Sequence, residues 1–386
     1  MAIKQLINYA KERAGEDWLI GYDSNKFYQL SEAKFRELIQ LADREIPPKI
    51  ILAESKLLEF FASFLAAIAA NCSVFLCNPN WGQQEWQQVF DLVQPDLIFG
   101  KEIREFKREN KPQRRGGAEG NYSSIMIPTG GSSGKICFAV HTWETLMASA
   151  RGFYHYFGEI PINSFCILPL YHVSGLLQFL RSFLTGGKLL ILPYKVLKEG
   201  KRGNIDPRDF FISLVPTQLQ YLLQSDPDWL SLFPTVLLGG APAWQSLLDE
   251  ARKHHIRLAL TYGMTETASQ IVTLKPEDFL QGNNSSGQVL PHAQVRIVSD
   301  TGKILGTHQT GIIQIQADSL CLGYYPEIVT NHSHFQTDDL GFFDTQGYLH
   351  IIGRNSQKII TGGENVFPAE VEAAILATQL VTDAFV

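Results

Sequence analysis

The sequence lacks several features whose absence narrows the field. Its five cysteines, Cys72, Cys77, Cys137, Cys166 and Cys321, are odd in number and form no CxxC pair. That argues against a secreted disulfide framework or a zinc knuckle, and points to a reducing, cytoplasmic setting. The opening "MAIKQLINYAKERAGEDW" carries charges throughout and no apolar core, so no signal peptide is expected. The most membrane-like run, residues 57–77, is interrupted by Glu59, Ser63, Asn71 and Ser73. A buried helix followed by a strand is expected there, with no membrane span. Charge is balanced: 33 basic residues against 39 acidic ones give a net charge of −6, with no large block of one sign. A nucleic-acid backbone is therefore not the expected partner, although a local site can still hold a small anion. The one basic stretch, residues 101–117, is cut by acids and by Pro112, Gly116 and Gly117. It reads as a solvated loop, with an anion-facing patch as the other reading. No internal repeat and no low-complexity segment is present.

What is present is an ordinary globular composition, 45% hydrophobic and 19% charged, with enough chain for two or three domains' worth of core. Short runs of β-formers recur near residues 50, 73, 96, 123, 165, 188, 210, 235 and 257, with helix-length amphipathic stretches between them. This rhythm predicts α/β architecture built from βα units, with a parallel sheet and ligands at the carboxyl ends of its strands. After about residue 285 the pattern changes to alternating strands with turn signals, a β-rich subdomain. Beyond Arg354 the sequence predicts a short strand, a glycine turn and a helix with Pro368 near its start.

The stretch "IMIPTGGSSGKICFAVHTWETL", residues 125–146, sets a small loop directly after an apolar run. It differs from a Walker A loop: three residues, not four, separate Gly130 from Gly134, and Ile136 follows Lys135 where Ser or Thr is required. The physics of anion binding survives that difference. Glycine-rich backbone can turn N–H groups toward an anion, and Thr129, Ser132 and Ser133 add hydroxyl donors. A plain flexible turn after a strand explains the stretch as well when it is taken alone.

Three later stretches bear on that choice: "LLGGAPAWQSLL" (237–248), "TYGMTETASQIVTL" (261–274) and "FQTDDLGFFDTQGYLHIIGRNSQKIITGGENVFPAEVE" (335–372). Together with the loop they resemble, in order and spacing, the core motifs of the adenylate-forming superfamily, and the resemblance runs over nearly the whole chain. Within it, "PLYHVSGLLQFLR" (169–181), "SLVPTQLQYLL" (213–223) and the long "TYGMTETASQIVTL" form resemble the o-succinylbenzoate-CoA ligase subfamily of menaquinone and phylloquinone synthesis. The resemblance implies a large N-terminal AMP-binding domain over residues 1–353, with the β-rich part at about 285–353. Residues 354–386 then form the hinge and the stub of a small C-terminal domain that is mostly missing.

It also implies a chemistry. ATP would convert a carboxylic acid to an acyl adenylate, and coenzyme A would then displace AMP, with Mg2+ assisting at the phosphates. Thr129, Gly131, Ser132, Ser133, Gly134 and Lys135 would wrap the β- and γ-phosphates. Glu266 would bind magnesium, Thr265 would touch the α-phosphate, and His172 would stand near the reacting carboxyl with Ser174 and Gly175. Gly239, Gly240, Ala241 and Gly263 would flank the adenine, Tyr262 would stack on it, and Asp339 with Arg354 would hold the ribose. Arg181 and Ser213, with Thr217 nearby, would recognise the far carboxylate of an aromatic dicarboxylic acid, because a dianion needs a partner for its second charge. Read without the family, Tyr262 and His172 can be plain core, Asp339 can cap a turn, and Arg181 can be a snorkelling surface arginine.

Two positions depart from the family pattern. Gln357 stands at the hinge where aspartate is typical, and no late lysine in a "P...GK" context follows; Lys358 does not occupy its place. A missing cation at a developing charge typically costs about a hundredfold to a thousandfold in rate, so impaired adenylation is expected. The "GGEN" turn, Gly362 to Asn365, which lines the pantetheine path in the family, is present. A homodimer is compatible with the family. Three further readings remain open at this stage: a CoA ligase for another aryl or acyl acid, a protein that binds nucleotide and acid without turnover, and a phosphotransferase whose product would be ADP.

Overall fold

The computed structural model describes residues 3–42, 47–100, 124–130, 135–328, 334–357, 359–361, 364–366, 368–378, 381 and 384. Of the residues singled out above, Gly131, Ser132, Ser133, Gly134, Lys358, Gly362 and Gly363 lie outside that set, as does the basic stretch 101–117.

Two large sheets dominate. One has seven strands, in the order Glu327–Ile328, Gly323–Tyr324, Ile136–His141, Ile125–Gly130, Ser73–Leu76, Lys49–Leu52, Leu97–Phe99. Its last four are parallel and its first three antiparallel. The other has eight: Leu19–Ile20, Leu189–Ile191, Ser164–Cys166, Phe211–Leu214, Thr235–Leu238, Leu258–Met264, Ser269–Thr273, Gln288–Val289. Its first six strands are parallel and its last two run antiparallel. All nine β-rich runs picked out in the sequence are strands of these sheets.

Both faces of each sheet are covered, which is why the strands are apolar throughout and not alternating. Ile50, Leu52, Val74 and Leu76 pack against the Leu57–Ala69, Trp143–Tyr156 and Val173–Thr185 helices. Their neighbours Ile51, Phe75 and Cys77 face the other way, onto the Gln83–Val93 helix. The eight-stranded sheet shares the first set of helices through Cys166, Leu189 and Ile191, and turns Phe165, Leu190 and Ile212 to the Pro216–Ser225 and Gln245–Lys253 helices. The result is five alternating layers, with one helical layer common to both sheets. This explains the largely apolar Leu57–Ala69 helix, buried continuously from Phe60 to Ile68, with Glu59 at its half-buried first turn paired to Lys34; among the described residues, no helix is long and apolar enough to cross a membrane.

Residues Ala293–Val298, Gly311–Ala317, Phe335–Phe343 and Leu349–Arg354 form a separate four-stranded antiparallel sheet, in the region where alternation replaces the βα rhythm. A two-stranded hairpin, Ile359–Thr361 with Glu364–Val366, precedes a Pro368–Ala377 helix.

The Val173–Thr185 helix begins at the extended N-cap His172 and ends at Gly186, which adopts the left-handed φ of +77° that closes a helix. Its carboxyl end is held by a buried guanidinium. Arg13 donates to the carbonyls of Ser182 and Phe183, both at 3.0 Å, and of Gly187 at 2.9 Å, with its plane over Trp18. The Ser182 carbonyl already accepts from the Gly186 and Gly187 amides; the cation adds to those bonds, reaches Phe183 and Gly187 as well, and complements the helix dipole. Replacing Arg13 by Met should lower unfolding stability by roughly 3 kcal/mol, because the three bonds to carbonyls and the ion pair with Glu16 are lost while the apolar stem is kept. A urea titration followed by fluorescence would read the change; a midpoint equal to that of the parent chain would show that this anchor is dispensable.

Candidate active site

The carboxyl ends of the parallel strands converge with the Ile125–His141 hairpin. Thr235–Leu238 runs into Gly239, Gly240 and Ala241. Gly239 has to be glycine because a Cβ there would lie 2.3 Å from the Thr261 hydroxyl, and Gly240 takes a left-handed φ of +83°. The next strand, Leu258–Met264, carries Tyr262 and Gly263 and ends in the tight turn Thr265–Thr267.

Tyr262 reaches across to the four-stranded sheet and donates its phenol to Asp339 Oδ2 at 2.7 Å. Arg354, the cross-strand partner of Asp339, forms an ion pair with its other oxygen at 3.6 Å. Burial, then the Asp339 charge, raises the Tyr262 pKa, so the phenol keeps its proton and stays a donor. Three of the expected residues therefore form one connected group. Gly263, next to Tyr262, packs against backbone: a Cβ would sit 2.2 Å from the Ser269 carbonyl oxygen.

Glu266 in the turn is 8% exposed. Its Oε1 accepts from the Tyr324 phenol at 2.8 Å and from the Thr129 hydroxyl at 3.3 Å. Among the described residues no cation pairs with it. A buried carboxylate with only hydroxyl donors is an incomplete electrostatic unit, and a hard divalent cation fits it. No group of three or more His, Cys, Asp or Glu residues that could hold a metal exists among the described residues, so Glu266 alone would supply a carboxylate to such a cation there. Lys135 is exposed at the start of the returning strand of the hairpin.

Arg181 is 3% exposed, so it is not the snorkelling residue that sequence alone allowed. Its Nη2 donates to Gln270 Oε1 at 2.9 Å and Ser269 Oγ at 3.3 Å, and its guanidinium lies 4.0 Å above the Phe153 ring. Its Nε and the Gln270 Nε2 are buried without a hydrogen-bond partner, and no carboxylate pairs with the guanidinium among the described residues. Burial lowers its pKa to about 9, which still leaves it charged at neutral pH. Ser213 lies mid-strand on Phe211–Leu214 and Thr217 is exposed at the start of the next helix; neither hydrogen-bonds to Arg181 among the described residues. His172 keeps much of its ring accessible beside Tyr171, yet the wall around it lowers its pKa. Ser174 accepts from Gln178 through its carbonyl, and Gly175 fits close under Pro169, where a Cβ would lie 2.2 Å from the Pro169 carbonyl oxygen. Burial pushes the Cys72 and Cys166 thiols up to about 12, so both keep their protons.

Sequence reasoning passed over Tyr324, Ser269, Gln270, His141 and His292. Ser269 and Gln270 lay inside a quoted motif, and only the location of Arg181 marks them. His292 packs into the notch left by Gly152, where a Cβ would lie 1.8 Å from its Nδ1.

A family model described as "AMP-binding enzyme" matches residues 45–325. The chain belongs to that family. Among curated proteins it is 30% identical over 316 residues to a 2-succinylbenzoate–CoA ligase of Bacillus subtilis, covering 80% of this chain and 63% of that one. It is 34% identical over 262 residues to the Enterococcus faecalis protein of the same name, covering 66% and 54%. The aligned region thus spans roughly half to two thirds of these relatives' length. Among solved structures, o-succinylbenzoate coenzyme A synthetase of Bacillus subtilis in complex with AMP aligns with a TM-score of 0.83 at 23% identity, over 99% of this chain and 85% of that one. The same enzyme with ATP and magnesium ion aligns at 0.78 and 25% identity, over 97% and 85%. These alignments match the α/β fold with helix-flanked parallel sheets.

His292 supplies a pH test of this region. Both ring nitrogens are buried without a partner, and burial, then the Arg181 charge, lowers its pKa to about 4 from 6.5, against the opposing Asp318. The unfolded chain therefore binds the proton first as pH falls. The stability that goes with the neutral ring is complete above about pH 6.5 and is lost toward pH 4, on the order of 3 kcal/mol. In His292→Phe, stability between pH 6.5 and 4.5 should fall less steeply than in the parent; parallel profiles from denaturant titrations would refute this.

Proposed function

We propose that the chain is the nucleotide- and acid-binding part of an AMP-forming ligase that activates o-succinylbenzoate and transfers it to coenzyme A. The observation that carries the reading is Arg181. A charged side chain with almost no exposure and no carboxylate partner among the described residues is expensive unless an anion completes it. A fatty acid brings one carboxylate, which the chemistry consumes. A dicarboxylic aromatic acid brings a second, and the Phe153 face beside the guanidinium suits the aromatic class. The names of the relatives support the same acid.

A carboxylate resists nucleophiles because of its charge and lacks a leaving group. In the proposed reaction a carboxylate oxygen bonds to the α-phosphorus of ATP, the bond to the β-phosphate oxygen breaks, and pyrophosphate leaves. The thiolate of coenzyme A then bonds to the acyl carbon, and AMP leaves. Two anions meet in the first step, so the chain's task is to neutralise and align them. Thr129 and Lys135, with Gly131, Ser132, Ser133 and Gly134 of the same loop, would donate to the terminal phosphates. Glu266 would hold Mg2+, which when bound offsets phosphate charge. Thr265 would meet the α-phosphate, while Gly239, Gly240, Ala241, Gly263 and Tyr262 would border the adenine. Asp339 would accept the ribose hydroxyls, steadied by Arg354. His172, Ser174 and Gly175 would border the reacting carboxyl, and Ser213 and Thr217 would flank the acid. We assign residues 1–353 to the large AMP-binding domain, with its β-rich part at about 285–353, and residues 354–386 to the hinge and the start of a second domain.

Calorimetric titration of o-succinylbenzoate into the chain, with a non-hydrolysable ATP analogue and magnesium, should give binding that a fatty acid does not. Arg181→Met should weaken it by about a hundredfold, since a buried charge pair is worth roughly 2–5 kcal/mol when one partner is removed. If the chain binds the ATP analogue and not o-succinylbenzoate, the acid assignment falls.

A further inference from the structure

Glu266 and the hairpin that bears Thr129 and Lys135 come from parts of the chain more than a hundred residues apart, and something must set the distance between them. The Thr265–Thr267 turn is backbone under constraint. Ala268 and Ser269, neither of them glycine, follow it with φ of +52° and +91°. Such conformations cost about 1–3 kcal/mol each and persist only where their surroundings impose them. The surroundings here are specific. His141 Nε2 meets the Thr265 carbonyl at 2.8 Å, the Ser149 hydroxyl donates to the Ala268 carbonyl at 2.6 Å, and the Cys321 amide donates to the Glu266 carbonyl at 2.8 Å. Because a carbonyl only accepts, Nε2 must carry the proton. Nδ1 lies 3.0 Å from the Thr145 hydroxyl, which fixes the ring from its other edge. His141 is fully buried, the last residue of the strand whose first residue, Ile136, follows Lys135. Along that strand Cys137 pairs with Thr129 and Ile136 with Gly130.

We propose that His141, oriented by Thr145 and seconded by Ser149, is a positioning residue. It ties the Thr265–Thr267 turn to the Ile125–His141 hairpin so that the Glu266 carboxylate and the hairpin's donors address one magnesium-bound triphosphate. This rests on the assignment of Glu266 to magnesium and of the hairpin to the phosphates. The histidine touches neither nucleotide nor metal; it acts through the turn's backbone, which an apolar side chain of similar size cannot hold.

The test is the factor by which Mg2+ tightens ATP binding, measured by calorimetry with magnesium and with EDTA on the parent chain and on variants. In His141→Phe that factor should drop about tenfold, and in His141→Gln, whose amide can still donate to the Thr265 carbonyl, it should return to within about threefold of the parent. Ser149→Ala, a milder change, should lower it about threefold and serves as the reading should His141→Phe not fold. A parent factor of one overturns the magnesium assignment and this inference with it. A clear parent factor that His141→Phe retains overturns the inference alone, as does equal loss in His141→Phe and His141→Gln, or an unchanged factor in Ser149→Ala when that variant is the reading.

Discussion

A buried carboxylate, Glu266, that no cation pairs with among the described residues is the constraint around which the surrounding structure is organised. Desolvating a carboxylate is costly, and the chain offsets only part of that cost with the hydroxyls of Thr129 and Tyr324. Those two donors belong to strands of the seven-stranded sheet, whereas Glu266 follows a strand of the eight-stranded one. The carboxylate therefore sits where the two sheets meet. The same junction is stitched by backbone, through Leu322 donating to Val140 and Cys321 to Glu266.

The shared helical layer makes that junction rigid. Helices packed on both faces cannot slide without opening two cores at once, and close-packed interiors resist such shifts. The Phe61 and Phe179 rings, stacked at 3.9 Å, and the Trp18, Phe27 and Phe183 edges around them lock the helices to each other. Tyr262 and Asp339 then join the four-stranded sheet to this block by a hydrogen bond between side chains, with Arg354 at the rim.

Much of this was legible in the sequence because parallel strands buried on both faces announce themselves as continuous apolar runs. The nine strands found that way need no tertiary knowledge. The strand Ile136–His141 lay behind a stretch read as a loop, Ser269–Thr273 lay inside a stretch quoted only as a family motif, and Gly323–Tyr324 is too short to show any period. The site divides similarly. Glu266, Tyr262 and Asp339 stand in motifs and could be named, whereas Tyr324, 58 residues from Glu266, and His141, 124 residues from Thr265, act through contacts that no local pattern encodes. Next to His141 the structure forms a capping box between Thr142 and Thr145, a local contact that carries no trace of the distant Thr265. Arg181 shows the limit most plainly, since the same apolar helix predicts a surface arginine as readily as a buried one.

The helix from Val173 to Thr185 is unbroken, its carboxyl end fixed by Arg13 and its first turn seated under Pro169. His172 and Arg181 are nine positions apart, about 13 Å along the axis at the rise of an α-helix. Nine positions make about two and a half turns, so the two side chains leave the helix on opposite faces, His172 exposed and Arg181 buried against Phe153 and Gln270. The helix is therefore a partition: neither end can be brought round to the other's side without unwinding it, and the guanidinium stays on the interior side however the exposed end moves.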